Sequence, residues 1–316
     1  MTRPIGTVLA AIVLSGATLL SCSHKDIECP GSEMRDIDVR FGWAKAPEAS
    51  PEGMTLMFYP LGSYEKVWRF DIAGAEGGVV EIPTGTYRMI AFNNDDGAVR
   101  ISDTQSYENM TASARNIDEG VFSSTGMLYR AEVEYLEVTP CGVEYITAEG
   151  SRKDCRKSIV RALPDSVCTV YDLRVSDIKG IERVKKAYAT LSGTTSTLRL
   201  GTMTSETHDD SLYAPFGISV SDSLMNASTD AFTPTSPGGR YTLTLVVTRT
   251  DGKSFSKSFE VTEQVVNSSS PRHVLIEIEG LEIPENDTPG SDVGDIDVIV
   301  DGWTTIEIDL EYNVTT

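Results

Sequence analysis

The chain has 316 residues and a formal net charge of −20, with 47 acidic against 27 basic side chains. So acidic a chain is a poor partner for nucleic acid or an anionic lipid surface, because binding phosphate groups requires clustered lysine and arginine. Its hydrophobic content of 40% is sufficient for packed cores, so we expect a folded body rather than a disordered one.

An apolar run near the amino terminus stops abruptly at a cysteine. Arg3 comes before the run, which covers residues 12–20, and the small residue Ser21 separates it from Cys22. A membrane-spanning helix needs about 20 apolar residues. A basic residue, a short apolar stretch and a small final residue are instead typical of a secretory signal peptide. We therefore predict that residues 1–21 are a cleaved signal and that the protein is exported.

The sequence Leu19-Leu20-Ser21-Cys22 resembles the lipobox of bacterial lipoproteins. In that family the cysteine thiol carries diacylglycerol, the preceding peptide is removed and the new amino terminus is acylated. The resemblance implies cleavage between Ser21 and Cys22 and lipidation of Cys22. The polar composition of residues 22–34 predicts a tether that lifts the folded body off the membrane. More than one acyl chain gives stable anchoring, since each buried CH₂ group contributes ~0.8 kcal/mol. An ordinary signal peptide followed by a chance cysteine is the alternative.

Period-two alternation begins after the tether and indicates short β-strands. In DIDVRFGW, the residues Ile37, Val39 and Phe41 share one face, opposite charged side chains. Further strands are predicted for GMTLMFYP, for KVWRFDI, and on both sides of the turn Pro83-Thr84-Gly85. Short strands separated by turn residues at this spacing predict a sandwich or a barrel.

A second series of strands is predicted in the carboxyl-terminal half. VCTVYDLRVSDI alternates, residues 177–188 predict a helical turn leading into a strand, and Asp251-Gly252 predicts the tip of a hairpin. PRHVLIEIEGLEIP predicts a strand pair. Residues 203–239 are rich in Ser, Thr, Asp and Pro and predict extended loops. The predicted fold class is all-β, in two domains over residues 35–163 and 164–316.

The carboxyl end carries an isolated pattern of its own. After Pro284 the composition is that of a linker, and within residues 295–310 the side chains of Ile306, Ile308 and Leu310 alternate with acidic ones. This pattern predicts a terminal strand pair. Such a pair either completes the sheet of its own domain or adds to the exposed edge of a neighbour. On the second interpretation, these three apolar residues are candidates for strand exchange.

Four cysteines besides Cys22 are candidates for disulfides in an exported chain, and four cysteines allow three complete pairings. Cys155 and Cys168 flank a predicted turn at residues 163–166, so a hairpin there would bring this pair together. Reduced, buried thiols are the alternative for all four.

Candidate catalytic and metal-binding residues are scarce. The histidines are His24, His208 and His273, and histidine is the commonest acid–base side chain near neutral pH. The sequence has no Cys/His cluster with zinc spacing, no phosphate-binding glycine loop and no G-x-S-x-G motif. We predict a protein that is not an enzyme and that uses neither a cofactor nor a metal.

Several of these segments, taken in order, resemble one known family. RFGWAKAPEASPEGMTLMFYP, VVEIPTGTYRMIAFNND, AYATLSG and FEVTEQVV with HVLIEIEGLEIPE are similar to Bacteroidetes lipoproteins of the fimbrillin superfamily, near its fimbrial anchor proteins. The resemblance covers most of the chain, from about Ile37 to Pro284. It implies two transthyretin-like, Greek-key β-sandwich domains in tandem, lipidation, a position on the outside of the outer membrane, and a role in anchoring or building a pilus.

The resemblance also implies partners and processing. Anchor members keep their lipid and hold the base of a fibre through fimbrial subunits or other surface proteins. Pilus subunits are instead cut after an arginine near the first strand, which here is Arg35 or Arg40. Three triplets that begin at Asp165, Asp210 and Asp222 resemble the O-glycosylation sequon of exported proteins in this phylum. The leading hypothesis is a surface lipoprotein that anchors or joins a fimbria-like assembly by β-strand addition.

Two other binding functions are open on the residues alone. A non-catalytic lipoprotein that captures a glycan or a host protein would need exposed aromatic side chains. A calcium-dependent module would need clustered carboxylates. The aromatic candidates are Trp43, Trp68, Trp303, Tyr59 and Tyr64, and the carboxylate candidates are Asp292, Asp295, Asp297 and Asp301.

Overall fold

The computed structural model describes residues 33–62, 66–93, 97–154, 158–205, 210–233 and 239–285. Nearly all regular structure in these ranges is β, which confirms the predicted fold class. In the amino-terminal half the strands are β1 (Met34–Phe41), β2 (Gly53–Pro60), β3 (Trp68–Ala73), β4 (Gly77–Pro83), β5 (Gly85–Asn93), β6 (Val99–Ser102), β7 (Thr111–Ala114), β8 (Asn116–Asp118), β9 (Val121–Phe122), β10 (Tyr129–Thr139), β11 (Gly142–Thr147), β12 (Gly150–Asp154), β13 (Ile159–Ala162) and β14 (Asp165–Ser166).

The carboxyl-terminal half has nine strands and one short α-helix within the described ranges. A 3₁₀ turn over Ile181–Arg183 leads directly into a strand, as the sequence predicts. The elements are β15 (Cys168–Ser176), β16 (Val184–Ser192), β17 (Thr197–Arg199), β18 (Ser211–Pro215), β19 (Gly217–Ser219), β20 (Leu224–Phe232), β21 (Thr242–Arg249), β22 (Ser254–Glu260), α1 (Thr262–Val266) and β23 (His273–Glu279).

The described strands form five sheets. Their orders are β13-β1-β4; β12-β11-β10-β5-β2-β3, with β14 beside β10; β19-β20-β15-β23; β22-β21-β16-β18-β9-β8; and β17-β7-β6. The first two sheets enclose one hydrophobic core, and the third and fourth enclose another. Each half of the chain therefore has the layered arrangement of a sandwich, in which alternate side chains of both sheets face inward.

Strand β1 shows how the sequence pattern produces this arrangement. Ile37, Val39 and Phe41 are buried in the first core, whereas the residues between them face outward, which confirms the predicted alternation. β1 lies in the middle of its sheet, parallel to β13 and antiparallel to β4. Pro83-Thr84-Gly85 turns the chain, as predicted, but carries it from one sheet to the other, because β4 pairs with β1 and β5 pairs with β2 and β10.

A third core joins the two halves. It contains outward-facing residues of β2 and β5, such as Met57 and Ile90, packed with Leu198, Leu200 and Phe232 from the carboxyl-terminal half. The short strands β7 and β9 also cross over, since they pair with β17 and β18. The boundary between residues 163 and 164 stays a prediction, and the described halves share buried surface.

The prediction of extended loops over residues 203–239 is wrong for the described part of that segment. It contains β18, β19 and β20, whose inward-facing residues include Leu212, Met225 and Phe232. In β20 the outward positions include Asn226, Ser228 and Asp230, and the buried Thr229 is also polar, so the segment has the composition of a loop. The predicted pair in PRHVLIEIEGLEIP is one strand, β23, followed by a single bridge between Lys179 and Glu282.

The predicted disulfide between Cys155 and Cys168 stays a prediction, because Cys155 lies outside the described residues. Cys168 is buried in the third core, with the Thr125 hydroxyl 3.5 Å from its sulfur. The strands around the intervening turn, β13 and β15, belong to different sheets and do not form a hairpin with each other.

Candidate functional site

Most of the residues singled out in the sequence lie outside the described part of the chain. The acceptor side of strand addition is the open edge of a sheet, and the described residues include such edges. The candidates outside the described residues include Ser21, Cys22, Cys155, Ile306, Ile308, Leu310, Trp303 and Tyr64, together with the calcium candidates Asp292, Asp295, Asp297 and Asp301.

Strand β23 forms one such edge. Its sequence, HVLIEIE, alternates perfectly: Val274, Ile276 and Ile278 are buried in the second core, and the residues between them are exposed. The same pattern fixes its register against β15, where Tyr171 lies opposite Val274 and β23 runs parallel to β15. Within the described residues, β23 has a partner strand on this side alone.

The backbone groups of β23 alternate in direction as its side chains do. The N–H and C=O groups of even-numbered residues point toward β15. The carbonyl of Arg272 accepts from the N–H of Val170 at 2.9 Å, and the N–H of Gly280 donates to the carbonyl of Ser176 at 3.1 Å. The odd-numbered residues from His273 to Glu279 therefore direct their N–H and C=O groups away from the sheet. We call this row of groups the β23 edge.

Part of the β23 edge is covered by the segment that precedes it. The side-chain amide of Gln264, in α1, donates to the carbonyl of Glu277 at 3.1 Å and accepts from its N–H at 2.8 Å. The amide of Gln264 thus takes the place of a peptide group from a neighbouring strand. His273 donates from its N–H to the carbonyl of Ser270 at 3.2 Å. No local sequence pattern marks such a cap, so the role of Gln264 does not follow from the sequence.

Within the described ranges, the rest of the β23 edge is open. The outward N–H and C=O groups of Leu275 and Glu279 have no hydrogen-bond partner among the described residues. The Leu275 side chain is 49% exposed, on the outer face of the same strand. Native proteins generally cover, charge or shorten a sheet edge, because unpaired strand groups are a template for another strand. This edge is therefore chemically suited to accept one.

A serine, a histidine and an aspartate meet on the outer face of this sheet, but not in a catalytic order. His273 lies 2.5 Å from the Asp172 carboxylate, and the pKa of Asp172 is lowered first by this contact and then by a hydrogen bond from Ser228. The carboxylate sits between the imidazole and the hydroxyl. A nucleophilic triad requires the imidazole in that position, so this cluster lacks the geometry to activate Ser228.

The structure uses the described aromatic candidates for packing. Tyr59 is buried, and its hydroxyl donates to the carbonyl of Thr104. Trp43 packs against the first core and donates from Nε1 to the carbonyl of Ala75 at 2.8 Å, and Trp68 packs on the same core. These three therefore do not form an exposed platform.

The candidate modification residues have structural contacts. Arg35 and Arg40 both lie inside β1, with their backbones in register with β4, so a protease would reach either bond only after β1 left the sheet. Two of the sequon hydroxyls are bonded internally: Ser166 accepts from the N–H of Cys168 at 3.1 Å, and Ser223 donates to the carbonyl of Ile178 at 2.7 Å.

Neither a metal centre nor a membrane-crossing helix is found in the described ranges. Those residues contain no group of three or more His, Cys, Asp or Glu side chains arranged to hold a metal ion. The helices there are too short and too polar to cross a bilayer.

Comparison with known proteins places the chain in a family. Residues 21–216 match the model of a family described as a domain of unknown function, DUF5119. A Bacteroides ovatus protein with the provisional name fimbrium anchoring subunit Fim4B is 25% identical over 185 residues, which cover 58% of this chain and 52% of that protein. The chain thus spans about half the length of the curated relative that it matches.

Solved structures share the fold. A protein from Bacteroides ovatus provisionally described as an adhesin has a TM-score of 0.64 at 21% identity, covering 86% of this chain and 99% of that one. The fimbrial anchor protein Mfa2 from Porphyromonas gingivalis has a TM-score of 0.52 at 14% identity, with coverage of 78% and 91%. A Bacteroides thetaiotaomicron protein provisionally described as polysaccharide binding has the same TM-score and coverage at 11% identity.

Proposed function

We propose that this chain, which belongs to the DUF5119 family, is a non-catalytic lipoprotein exposed on the outer membrane. It serves as an anchor or accessory subunit of a fimbria-like assembly and joins its partner by β-strand addition. The lipid on Cys22 holds it to the membrane, and the folded body makes the protein contacts. Its partners are fimbrial subunits or other surface proteins.

The observation that carries this proposal is the β23 edge. Two of its residues, Leu275 and Glu279, present outward backbone groups that no described residue pairs, and an incoming strand would satisfy them with ladder hydrogen bonds. In this mode of recognition the main chain supplies affinity and alternate side chains supply specificity. The exposed Leu275 would then be covered by a side chain of the added strand.

The similarity to Fim4B supports the same proposal, since that relative is named as an anchoring subunit of a fimbrium. The alternation of Ile306, Ile308 and Leu310 supplies a candidate donor strand within this chain, which it would offer to a neighbouring subunit. The chain would in this way be able both to accept a strand and to donate one.

The substitution Leu275→Pro tests the acceptor role. Proline lacks an N–H, and the N–H of Leu275 points away from β15, so the change removes a group from the β23 edge while leaving the bonds to β15 in place. The tagged full-length protein is purified from mildly solubilised outer membranes and run on an unboiled gel. We expect the wild type to give higher-mass bands that collapse on boiling, and Leu275→Pro to lose them.

Leu275→Thr is the matched control, because it shortens the side chain but keeps the outward N–H. It is expected to retain the higher-mass bands, and both variants are compared with the wild type by thermal unfolding. A single lipidated band for the wild type, or equal ladders for the proline variant and the wild type, would contradict strand addition at this edge.

A further inference from the structure

The outer face of the sheet β22-β21-β16-β18 carries an unusual set of side chains. Leu243, Leu245 and Val247 of β21 point into the second core, so the residues between them point outward. The strand pairings align the outward residues in two central rows across the sheet. These rows are Ser258-Thr244-Thr190-Tyr213 and Ser256-Val246-Tyr188-Pro215.

Two tyrosines are diagonal neighbours near one end of these rows. The ring centroids of Tyr188 and Tyr213 are 5.2 Å apart, with an angle of 38° between the ring planes. Both side chains are partly exposed, and their phenolic oxygens have no hydrogen-bond partner among the described residues. Partial burial raises the pKa of both phenols, Tyr188 also through the neighbouring Tyr213, so both remain neutral donors at physiological pH.

The remainder of the two rows is neutral and rich in hydroxyl groups. Thr244 and Ser258 share a hydrogen bond of 2.9 Å, and neither row contains a charged residue. Lys186 and Glu260 lie in the flanking rows. Threonine is common on strands, which accounts for its presence here. Tyrosine is also favoured on strands, and what sets this pair apart is its position opposite the core, partly exposed and continuous with the hydroxyl-bearing rows.

We propose that these two rows, the tyrosine–hydroxyl face, bind a neutral polysaccharide. An aromatic ring offers an apolar surface on which the C–H face of a sugar ring can pack, and tyrosine adds a hydroxyl at its rim. The adjacent rings of Tyr188 and Tyr213 would support two successive sugar units. The hydroxyls of Thr190 and Thr244 can both donate and accept, which matches the hydroxyl groups of a sugar.

The shape and charge of the face select among ligands. A flat sheet surface favours an extended chain over a single small sugar, because a small molecule needs a concave site to bury most of its surface. The overall charge of −20 disfavours an anionic polysaccharide, and the rows contain no Lys or Arg to compensate for it. The ligand is therefore expected to be uncharged. This proposal is independent of strand addition at the β23 edge, which belongs to another sheet.

Native gel electrophoresis in gels that contain a polysaccharide tests this inference on the full-length protein. The probes are barley mixed-linkage β-glucan, wheat arabinoxylan and yeast mannan, with chondroitin sulfate as an anionic comparison. We expect at least one neutral probe to slow the wild type at least tenfold more than the double variant Tyr188→Ala, Tyr213→Ala. Chondroitin sulfate should not slow the protein.

Two further variants control for folding and for tyrosine loss in general. Tyr135→Ala removes another partly exposed strand tyrosine, in β10, and should be slowed like the wild type. Thr244→Lys places a charge in the centre of the face without truncating a ring and should lose the effect while unfolding at a normal temperature. The inference is overturned if none of the neutral probes slows the wild type, or if the double variant and Thr244→Lys are slowed as strongly. Leu275→Pro should be slowed normally, which separates this test from that of the proposed function.

Discussion

Replacement of Gly201 by alanine is expected to lower the free energy of unfolding by about 3 kcal/mol, the upper part of the usual range for overpacking. A Cβ atom at this position would lie 1.7 Å from the carbonyl oxygen of Tyr107 and 2.7 Å from its carbonyl carbon. Both atoms belong to the backbone, so the clash cannot be relieved by rotating a side chain. One of the two chain segments would have to move.

The surroundings of Gly201 make such a movement costly. Arg130 donates to the carbonyl oxygens of Leu200 at 2.6 Å and of Gly201 at 3.2 Å, and it forms an ion pair with Glu132. Glu132 in turn accepts a hydrogen bond from the Tyr107 hydroxyl. Burial, followed by this contact, raises the pKa of Tyr107 to about 12, so the phenol stays protonated and keeps donating. A shift of Tyr107 would disturb this whole partly buried network.

Chemical denaturation of the two proteins measures this effect. Gly217→Ala is the matched control, since the nearest atom to a Cβ at Gly217 is 3.5 Å away, an ordinary contact distance. The control should change the unfolding free energy by less than about 1 kcal/mol. Equal unfolding free energies of Gly201→Ala and the wild type would show that the backbones at Gly201 and Tyr107 do not approach each other this closely.

Replacement of Cys22 by serine is expected to abolish lipidation and to remove the protein from the outer-membrane fraction. The reason is that serine cannot form the thioether that carries diacylglycerol, and anchoring depends on several buried acyl chains. Metabolic labelling with a palmitate analogue should mark the wild type and leave Cys22→Ser unlabelled. The variant should also keep its signal peptide, which gives a slightly larger mass.

Cys29→Ser is the control for cysteine loss near the amino terminus. Cys29 lies seven residues beyond Cys22 and outside the lipobox-like sequence, so its replacement should leave the label and the membrane association unchanged. Labelled, membrane-bound Cys22→Ser protein would refute lipidation at Cys22. An unlabelled wild type that is released with the soluble proteins would do the same.

The sequence predicts strands well where one face is buried and the other is polar. In β1 and β23 the apolar residues recur at every second position, so strand state and inward face follow directly. In β20 the inward residues Met225 and Ala231 are separated by polar residues on both faces, so the sequence predicts a loop where the structure has a strand. Ser, Thr and Asn are common both on the solvent face of a strand and in turns, so residue composition does not distinguish the two.

Neither candidate binding surface follows from local sequence, because each depends on pairing between distant strands. β23 is an open edge only because β15 lies on one side of it and no described strand lies on the other. Tyr188 and Tyr213 are 25 positions apart, and they become neighbours through the register of β16 with β18. A prediction made without strand order identifies the strands and the two tyrosines, but not their proximity.

The central position of β1 bears on how the molecule would resist force. Seven residues of β1 are in register with β4 and four with β13, so the strand is held on both sides. A pull on its amino-terminal end, such as the proposed lipid anchor would transmit, acts along the strand and loads these hydrogen bonds together in shear. They cannot be broken one after another, as they would be if an edge strand were peeled off. The first strand of the folded body is thus placed to carry tension applied at its amino-terminal end.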